Sequence, residues 1–430
     1  MNPKPRTTKR DLPDRRSGLH KTAGNSVLII LLFAVGGAFM WGLRGSSGYG
    51  GTSGAVMPGL WWGLCWYALA AGVRKGAGWV VLACAFGYGF GGMHGYGQFM
   101  DWINGVFAIN RPEGVFLPLN PAVGFMWWAI TGLGWGGFGG ILLSWALDKN
   151  RNAGVMVIRA LILIAGWIAG SWAVRNFPQF VFPHYSPETY DLSVCVDCRR
   201  TLYTLPTQGS FITMLVFSLL FESVRLKWTQ VRTIALSALG FGIAFPLANL
   251  HNAYLTLQIT YDTWKIFEMM TGFIGGTMIS VLFLVDRGAV TGRGEAAVAQ
   301  TLSERLVGVN LAIFLVLGWA GVNCTGVIGR DFFGLIEGHP FMFYAGLPSV
   351  VLPGLVIYAV SARNLIRLKK ADGTVPLDTK PWVKLRFSMM LMTIYGVIVT
   401  CKGDTRLTAT YIVFGGLSIL LSVILQRNRA

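Results

Sequence analysis

Three arginines occupy equivalent positions in this sequence, each directly after an apolar run. Arg44 follows "FMWGL", Arg175 follows "GSWAV" and Arg330 follows "TGVIG". A guanidinium group is planar and always charged, and it binds carboxylate, phosphate or sulfate groups through two parallel hydrogen bonds. A single arginine at a helix end commonly just extends to the membrane interface. Because the position recurs three times, we predict a ring of arginines that binds a small anion.

Glu268 is the second residue suited to chemistry, since it lies inside an apolar segment. An ionisable group at membrane depth is costly, and it commonly faces a cavity or an ion path. Lys265, one turn earlier, offers a purely structural partner. We favour a proton-coupling or cation-binding carboxylate and leave the structural interpretation open. Glu222, three residues before Arg225, is expected to form a surface ion pair near the inner face.

The stretch 45–54, "GSSGYGGTSG", directly follows Arg44. It has no apolar period and too much glycine for a stable helix. Free backbone N–H groups at a helix start can hold an anion, and the alternative is an ordinary outer loop. The first interpretation predicts that Gly45, Ser46 and Ser47 bind the substrate.

Further polar residues lie on the predicted outer side. His94 and the pair Asn249 and His251 end segments that resemble each other, so we expect them to join a polar cluster at the outer mouth. The alternative function is a membrane enzyme, in which such residues act on a lipid-linked or acyl substrate. Its candidate residues are His94, Asp101, Glu113, His184, His251 and Asp262.

Cys195 and Cys198 form a CxxC pair in the long outer segment 176–205. A zinc site needs further ligands, and none stands at a recognised spacing. In an oxidising compartment a disulfide is the expected state. The chain also has no nucleotide-binding, nucleophile-elbow or HExxH motif. We therefore expect no metal and no cofactor, and an enzyme is the less favoured class.

The elements that position these residues are apolar helices. The chain has 430 residues, of which 53% are hydrophobic and 13% charged, and its mean hydropathy is +0.54. Such values are typical of a polytopic membrane protein. We predict an all-α protein with twelve membrane-spanning segments at residues 26–43, 55–73, 78–97, 121–147, 154–174, 207–224, 233–253, 263–285, 306–326, 341–362, 387–401 and 407–426.

The net charge of +17 would also fit a nucleic-acid partner. Most of the 36 Lys and Arg residues, however, fall between the predicted segments on one side, whereas the 19 Asp and Glu are divided almost evenly. This is the positive-inside pattern that orients membrane helices. We predict a multi-pass protein of the plasma (bacterial inner) membrane with both termini cytoplasmic, a lipid bilayer as its partner and no nucleic acid.

Internal repeats divide the chain into three units. The fourth, eighth and twelfth segments each end with a glycine pair, an aliphatic run and polar residues, at 139–150, 275–287 and 415–428. Units with an even number of helices share one orientation and are related by an axis along the membrane normal. We predict pseudo-threefold symmetry, with a basic tail at 1–25 and units at 26–150, 151–290 and 300–430.

Glycines recur at every fourth residue within several segments, for example Gly132, Gly136 and Gly140, or Gly272 and Gly276. Such small-residue faces let helix backbones approach closely in lipid. Most of these glycines are therefore assigned to helix packing. The function favoured by the whole pattern is a transporter or channel for a small anionic solute. The membrane enzyme is the alternative, and a scaffold whose polar residues are all structural is the third possibility.

Overall fold

The computed structural model describes residues 15–45, 52–71, 76–92, 97–148, 152–254, 263–288, 300–335, 344, 345, 347–375, 378–401 and 403–428. Its helices are α1 (Arg15–Arg44), α2 (Thr52–Ala70), α3 (Ala77–Gly92), α4 (Gln98–Ile103), α5 (Pro121–Leu147), α6 (Ala153–Asn176), α7 (Cys198–Val224), α8 (Trp228–Tyr254), α9 (Thr263–Gly288), α10 (Ala312–Phe333), α11 (Leu352–Asp372), α12 (Pro381–Thr400) and α13 (Thr405–Arg427). The π-helical segments Glu304–Leu311 and Leu347–Val351 lead into α10 and α11. Strands β1 (Val106–Asn110) and β2 (Val115–Pro118) form an antiparallel hairpin.

Ten helices within these residues are long and apolar enough to cross a membrane. The two remaining predicted spans coincide with α2 and α3, which are apolar helices of 19 and 16 residues. The protein is therefore an all-α polytopic membrane protein, as the hydropathy pattern predicts. The count of twelve spans stays a prediction.

Local sequence signals fix several helix ends. Asn120 and Asn152 precede α5 and α6, and their side chains accept backbone hydrogen bonds from Ala122 and Gly154. Asp404 does the same for α13. These caps satisfy N–H groups that have no partner within the helix.

The glycine faces bring helix backbones into direct contact. A Cβ atom on Gly132 or Gly136 of α5 would overlap a backbone carbonyl of α8, and one on Gly276 of α9 would overlap the carbonyl of Phe33 in α1. Alanine at these positions would force the helices apart. The prediction that the glycines serve helix packing is confirmed, and the pairs α5–α8 and α1–α9 are fixed at close range.

Aromatic rings fill the space between these helices. The rings of Trp41 and Trp135 stack with centroids 4.3 Å apart, and Trp62 and Tyr88 meet Phe241 edge-on or stacked at 5.7 and 5.3 Å. All five side chains are buried. Since Trp41 lies one turn before Arg44, this buried aromatic cluster packs against the last turns of α1.

The C-terminal part of the molecule packs more loosely. In α5, 72% of the residues in an 18-residue apolar stretch are buried. In the segment Pro348–Ala371, which includes most of α11, the corresponding share is 6%. Side chains such as Val356, Ile357 and Val360 remain exposed on α11. In a bilayer these apolar faces meet lipid. One cleft beside α11 is large enough to matter for binding and is described below.

The glycine pairs of the matched helices share one neighbour and differ in the other. A Cβ atom on the first glycine would meet the third helix of the same predicted unit, since Gly139 faces α3, Gly275 faces α8 and Gly415 faces α12. The second glycines differ, because Gly140 packs on α8, Gly276 packs on α1 and a Cβ on Gly416 meets no atom within 4 Å. The pseudo-threefold arrangement therefore stays a prediction from sequence.

Candidate functional site

Glu268 is buried in the second turn of α9, where its carboxylate accepts two side-chain hydrogen bonds. Its Oε2 accepts a hydrogen bond from Lys265 Nζ at 2.9 Å, and its Oε1 accepts one from Trp264 Nε1 at 3.0 Å. Arg44 Nη1 lies 3.9 Å from Oε1. The Glu268 side chain is 1% exposed. We call Arg44, Lys265 and Glu268 the outer cluster.

Gly45 makes room for this carboxylate. A Cβ atom at Gly45 would overlap both oxygens of Glu268, so the carboxylate lies directly against the glycine backbone. Gly45 directly follows the last residue of α1. Its lack of a side chain is therefore a requirement of the cluster.

Lys265 joins α9 to the end of α1. Besides its bond to Glu268, its Nζ donates to the carbonyl oxygen of Gly42 at 3.2 Å. The Tyr411 hydroxyl donates to the same oxygen at 2.8 Å. The last carbonyl groups of a helix lack partners within the helix and carry partial negative charge. The end of α1 thus stabilises the ammonium group.

Arg44 is held on two sides and is 7% exposed. Its guanidinium carbon lies 4.6 Å from the centroid of the Trp41 ring, a cation–π contact. Its Nη2 donates to the carbonyl oxygen of Gly92 at 3.3 Å. Gly92 is the last residue of α3, so another helix C-terminus faces the cation.

The described residues of the outer cluster carry two cations and one carboxylate. Glu268 already accepts hydrogen bonds from Lys265 and Trp264, and Arg44 stands farther from it at 3.9 Å. A buried ion pair is costly unless its charges balance and its hydrogen bonds are made. Among these described residues cations outnumber carboxylates, a composition that suits an anion as a further partner. Its carboxylate can also take up a proton.

The other two arginines of the predicted ring have different surroundings. Arg175 is exposed in the last turn of α6. Arg330 is half-buried near the end of α10, and its Nε donates to the adjacent Asp331 at 2.6 Å. Of the three, Arg44 alone is buried. The ring stays a prediction.

Several predicted residues lie outside the described residues, namely Ser46, Ser47, His94 and Asp262. His251 belongs to α8, and its side chain lies outside the described part as well. Asn249 is buried, and its Nδ2 donates to the Phe245 carbonyl at 2.9 Å. Phe245 packs against Phe267, the neighbour of Glu268, with ring centroids 6.3 Å apart. Asn249 therefore lies one helical turn after Phe245, the residue through which α8 contacts α9.

Arg111 connects the hairpin to the long outer loop. Its side chain pairs with Asp101 of α4, its Nε lies 3.4 Å from Asp197, and its backbone N–H donates to Asp197 at 2.8 Å. Burial raises the pKa of Asp101 above its ordinary value, and Arg111 opposes this change. These bonds hold the loop to the hairpin, so the acids already have structural partners.

The remaining outer-loop candidates are also placed. His184 has its Nε2 2.9 Å from the Pro118 carbonyl oxygen, and Glu113 is exposed on the hairpin turn. A disulfide joins Cys195 and Cys198, and both residues are buried beneath the loop. The disulfide closes the CxxC turn directly before α7. The bonds of His184 and Asp197 hold this segment against the hairpin, and we call the segment and the hairpin together the outer cap.

Sequence reasoning missed a buried ion network on the predicted inner side. Arg159 of α6 pairs with Glu222 at 2.6 Å and with Asp148 at 2.9 Å, and Arg225 reaches Glu222 at 3.3 Å. The expectation of a surface pair for Glu222 was wrong, because Glu222 is 1% exposed and Arg159 is its nearer partner. We call Asp148, Arg159, Glu222 and Arg225 the inner network. Arg159, a charge within an apolar segment, was the available signal.

A second cluster on the predicted inner side surrounds Asp378, in the loop before α12. Its Oδ2 accepts hydrogen bonds from Lys384 Nζ at 2.5 Å and the Tyr67 hydroxyl at 2.7 Å, and Arg305 Nε lies 3.6 Å away. Burial would raise the pKa of Asp378, but Lys384 and Arg305 outweigh it, so the pKa is lowered. This loop carboxylate ties α12 to α2 and to the segment before α10.

Fold and site together define a class: a polytopic all-α membrane protein with a buried, charged group of side chains near one end of its tightest helix bundle. The chain matches no family model, no curated protein and no solved structure in the comparisons made. The functional argument therefore depends on the geometry of the described residues.

Proposed function

We propose that the protein is a transporter or channel with twelve membrane-spanning helices that binds a small anionic solute from its outer face. The binding element is the outer cluster, centred on Arg44. The proposal keeps the three parallel four-helix units that the repeated helix ends indicate. The observation that carries it is a buried guanidinium in a cluster whose described residues hold two cations and one carboxylate.

Support comes from the way Arg44 is oriented. The Trp41 ring and the Gly92 carbonyl help to fix its position, and neither group carries a formal negative charge. A fixed, planar guanidinium loses little conformational entropy when it binds a carboxylate, phosphate or sulfate oxygen. The low-polarity surroundings strengthen such a bond relative to water. Small oxyanions are therefore the expected solutes.

Glu268 gives the cluster a means of coupling. When Glu268 is ionised, it holds Lys265 and competes with the solute for Arg44. When it takes up a proton from the outer side, both cations become available to the anion. Binding of the proton and binding of the anion therefore favour each other, as linkage requires. In this proposal Glu268 is the coupling carboxylate.

Anion flux into proteoliposomes tests the role of Arg44. Purified protein would be assayed with chloride, nitrate, sulfate and phosphate, and the Arg44→Gln variant is expected to lose about tenfold to a hundredfold of the flux, as for loss of a charged hydrogen bond. Arg199→Gln is the matched control, since Arg199 is exposed and lies outside the predicted ring. Wild-type flux in a folded Arg44→Gln protein would overturn the proposal.

The same assay tests the ring and the coupling. If Arg175→Gln and Arg330→Gln lower flux as strongly as Arg44→Gln, three arginines act together. If neither does, the site is centred on Arg44 alone. Glu268→Gln is expected to abolish the dependence of flux on outer pH while leaving anion binding intact. Unchanged pH dependence in that variant would remove Glu268 from the mechanism.

The membrane-enzyme alternative gains no support from the described outer residues. Asp101 is paired with Arg111, and His184 bonds the Pro118 carbonyl. These contacts fix the outer cap and do not bring a base towards a nucleophile. Turnover of a lipid by the purified protein would restore this alternative.

The proposal includes a plasma-membrane location with both termini cytoplasmic. It predicts that Cys401, an exposed free thiol just after α12, faces the outside. A maleimide that cannot cross membranes should label Cys401 in intact cells. Cys65, Cys84 and Cys324 are buried and serve as internal controls. Labelling of Cys401 only after cell lysis would reverse the orientation.

A further inference from the structure

An open groove lies between α10, α11 and α12. Its volume is about 440 Å³, which is within the range of small-molecule sites. Phe314, Leu317, Ile357 and Leu391 are among the apolar side chains of its walls. At the end nearest the loop between α11 and α12, the lining includes Lys384. The groove therefore has a long apolar part and a cationic end.

Few contacts hold α11 against the bundle, which is why the groove stays open. Asn310 Nδ2 donates to the Ser361 hydroxyl at 3.0 Å, and this bond bridges the groove near its cationic end. Along α11, most apolar side chains outside the groove are exposed. In a bilayer such a cleft between helices is open sideways to lipid chains.

Basic residues gather at the same end of α11. Ile357 and Ser361 of α11 line the groove. Lys369 follows Ser361 by eight residues, about 12 Å farther along the helix and about 80° around its axis, so it lies beyond the end of the groove. Further cations in the last turns of α11 are Arg363, Arg367 and Lys370, and all are exposed.

Lys384 places a further cation at this end. It pairs with Asp378, and its side chain is 23% exposed and lines the groove. A phosphate group that enters the groove can therefore reach this cation.

We propose that this groove is a binding site for an anionic phospholipid. The acyl chain lies along the apolar walls, and the headgroup phosphate meets Lys384 and the basic end of α11. Basic pockets between membrane helices on the cytoplasmic side bind anionic headgroups in this way. A partner helix is the competing occupant, but a helix is about 10 Å wide and would need a far larger cleft. The site is independent of the outer cluster.

Native mass spectrometry of the purified full chain tests the acyl-chain part. Phosphatidylglycerol is added as the anionic probe and phosphatidylcholine as the zwitterionic one. A Cβ at Gly318, which lines the groove, meets no atom within 4 Å, so Gly318→Leu fills the groove without a clash. Gly326 on the same helix also has open space and does not line the groove, so Gly326→Leu is the matched control.

The wild-type protein and Gly326→Leu should retain phosphatidylglycerol in preference to phosphatidylcholine, and Gly318→Leu should lose that preference. Removing Arg367, Lys369 and Lys370 together, each changed to Gln, should weaken phosphatidylglycerol binding about fivefold per residue. Equal retention of both lipids by the wild type would overturn the site. So would a dimer that dissociates with Gly318→Leu, since a second copy would then fill the groove.

Discussion

The outer cluster and the inner network are both buried, and both combine arginine with carboxylates, but their charges differ. In the inner network, Arg159 and Arg225 face Asp148 and Glu222, with pair distances of 2.6 to 3.3 Å. In the outer cluster, the described residues give Glu268 two cations, and Arg44 stays 3.9 Å away. Among these residues the inner network holds two cations and two carboxylates, whereas the outer cluster holds two cations and one carboxylate.

This difference separates a structural group from a binding group. A balanced network with short pairs offsets much of the desolvation cost of its charges and has nothing further to offer a ligand. The inner network links the end of α5 to α6 and α7, as expected for a structural element. A cluster in which the described cations outnumber the carboxylates can take an anion as a further partner. On this basis the outer cluster is the proposed anion site.

The largest expected effect is on stability and comes from the inner network. Arg159→Met would leave Glu222 and Asp148 buried without their shared cation, and we expect a loss of about 3–5 kcal/mol of unfolding free energy. Arg44→Gln should cost less, about 1 kcal/mol, since Glu268 keeps its bonds to Lys265 and Trp264. Unfolding by SDS in mixed micelles measures both values.

The comparison also predicts the opposite order for function. Arg159→Met protein that remains folded should still carry anions, whereas Arg44→Gln should not. If Arg44→Gln destabilised the protein as much as Arg159→Met and left flux unchanged, the outer cluster would be structural too. The separation drawn between the two groups would then be wrong.

The sequence predicts the helices well and their contacts poorly. Hydropathy located the apolar segments because each span signals itself within about 20 residues. The Lys265–Glu268 pair was foreseeable, since three residues along a helix is a local distance. Arg44 and Glu268 are brought together by the packing of α1 on α9, which no local pattern encodes. The error on Glu222 has the same origin, because Arg159 is 63 residues away in sequence.

The next effect in size concerns Gly45. Gly45→Ala would push a methyl group into the Glu268 carboxylate, and we expect a loss of about 1–3 kcal/mol from overpacking together with a loss of anion flux. Gly326→Ala, where a Cβ meets no atom within 4 Å, is the matched control and should change neither. Thermal unfolding and proteoliposome flux measure the two effects. Equal behaviour of both variants would show that the carboxylate can move away freely.

Glycine-rich stretches illustrate a second limit of sequence reasoning. The prediction for 45–54 rested on free N–H groups, whereas the described part of that stretch gives Gly45 a steric role against Glu268. A glycine-rich composition indicates that another group can pack closely against the backbone, but it does not identify that group. That partner was set by α9, more than 200 residues later in the chain.

A smaller effect than that at Gly45 is expected at Asp378, a loop carboxylate that pairs with the two cations Lys384 and Arg305. Its folded pKa is lowered from 3.8, since Lys384 and Arg305 together outweigh burial. A lowered carboxylate pKa adds stability that is fully present above 3.8 and is lost as pH falls through the folded value. Asp378→Asn should therefore cost about 1–2 kcal/mol at neutral pH.

Thermal midpoints of the wild type and Asp378→Asn, compared from neutral pH to below 3.8, measure this contribution. The gap between the two proteins should close as the solution is acidified, because the wild-type carboxyl also becomes neutral. A gap that widened in acid would mean that protonated Asp378 is the stabilising form. Lys384 and Arg305 would then not be held by an ionised carboxylate, and the charge comparison would fail for this loop.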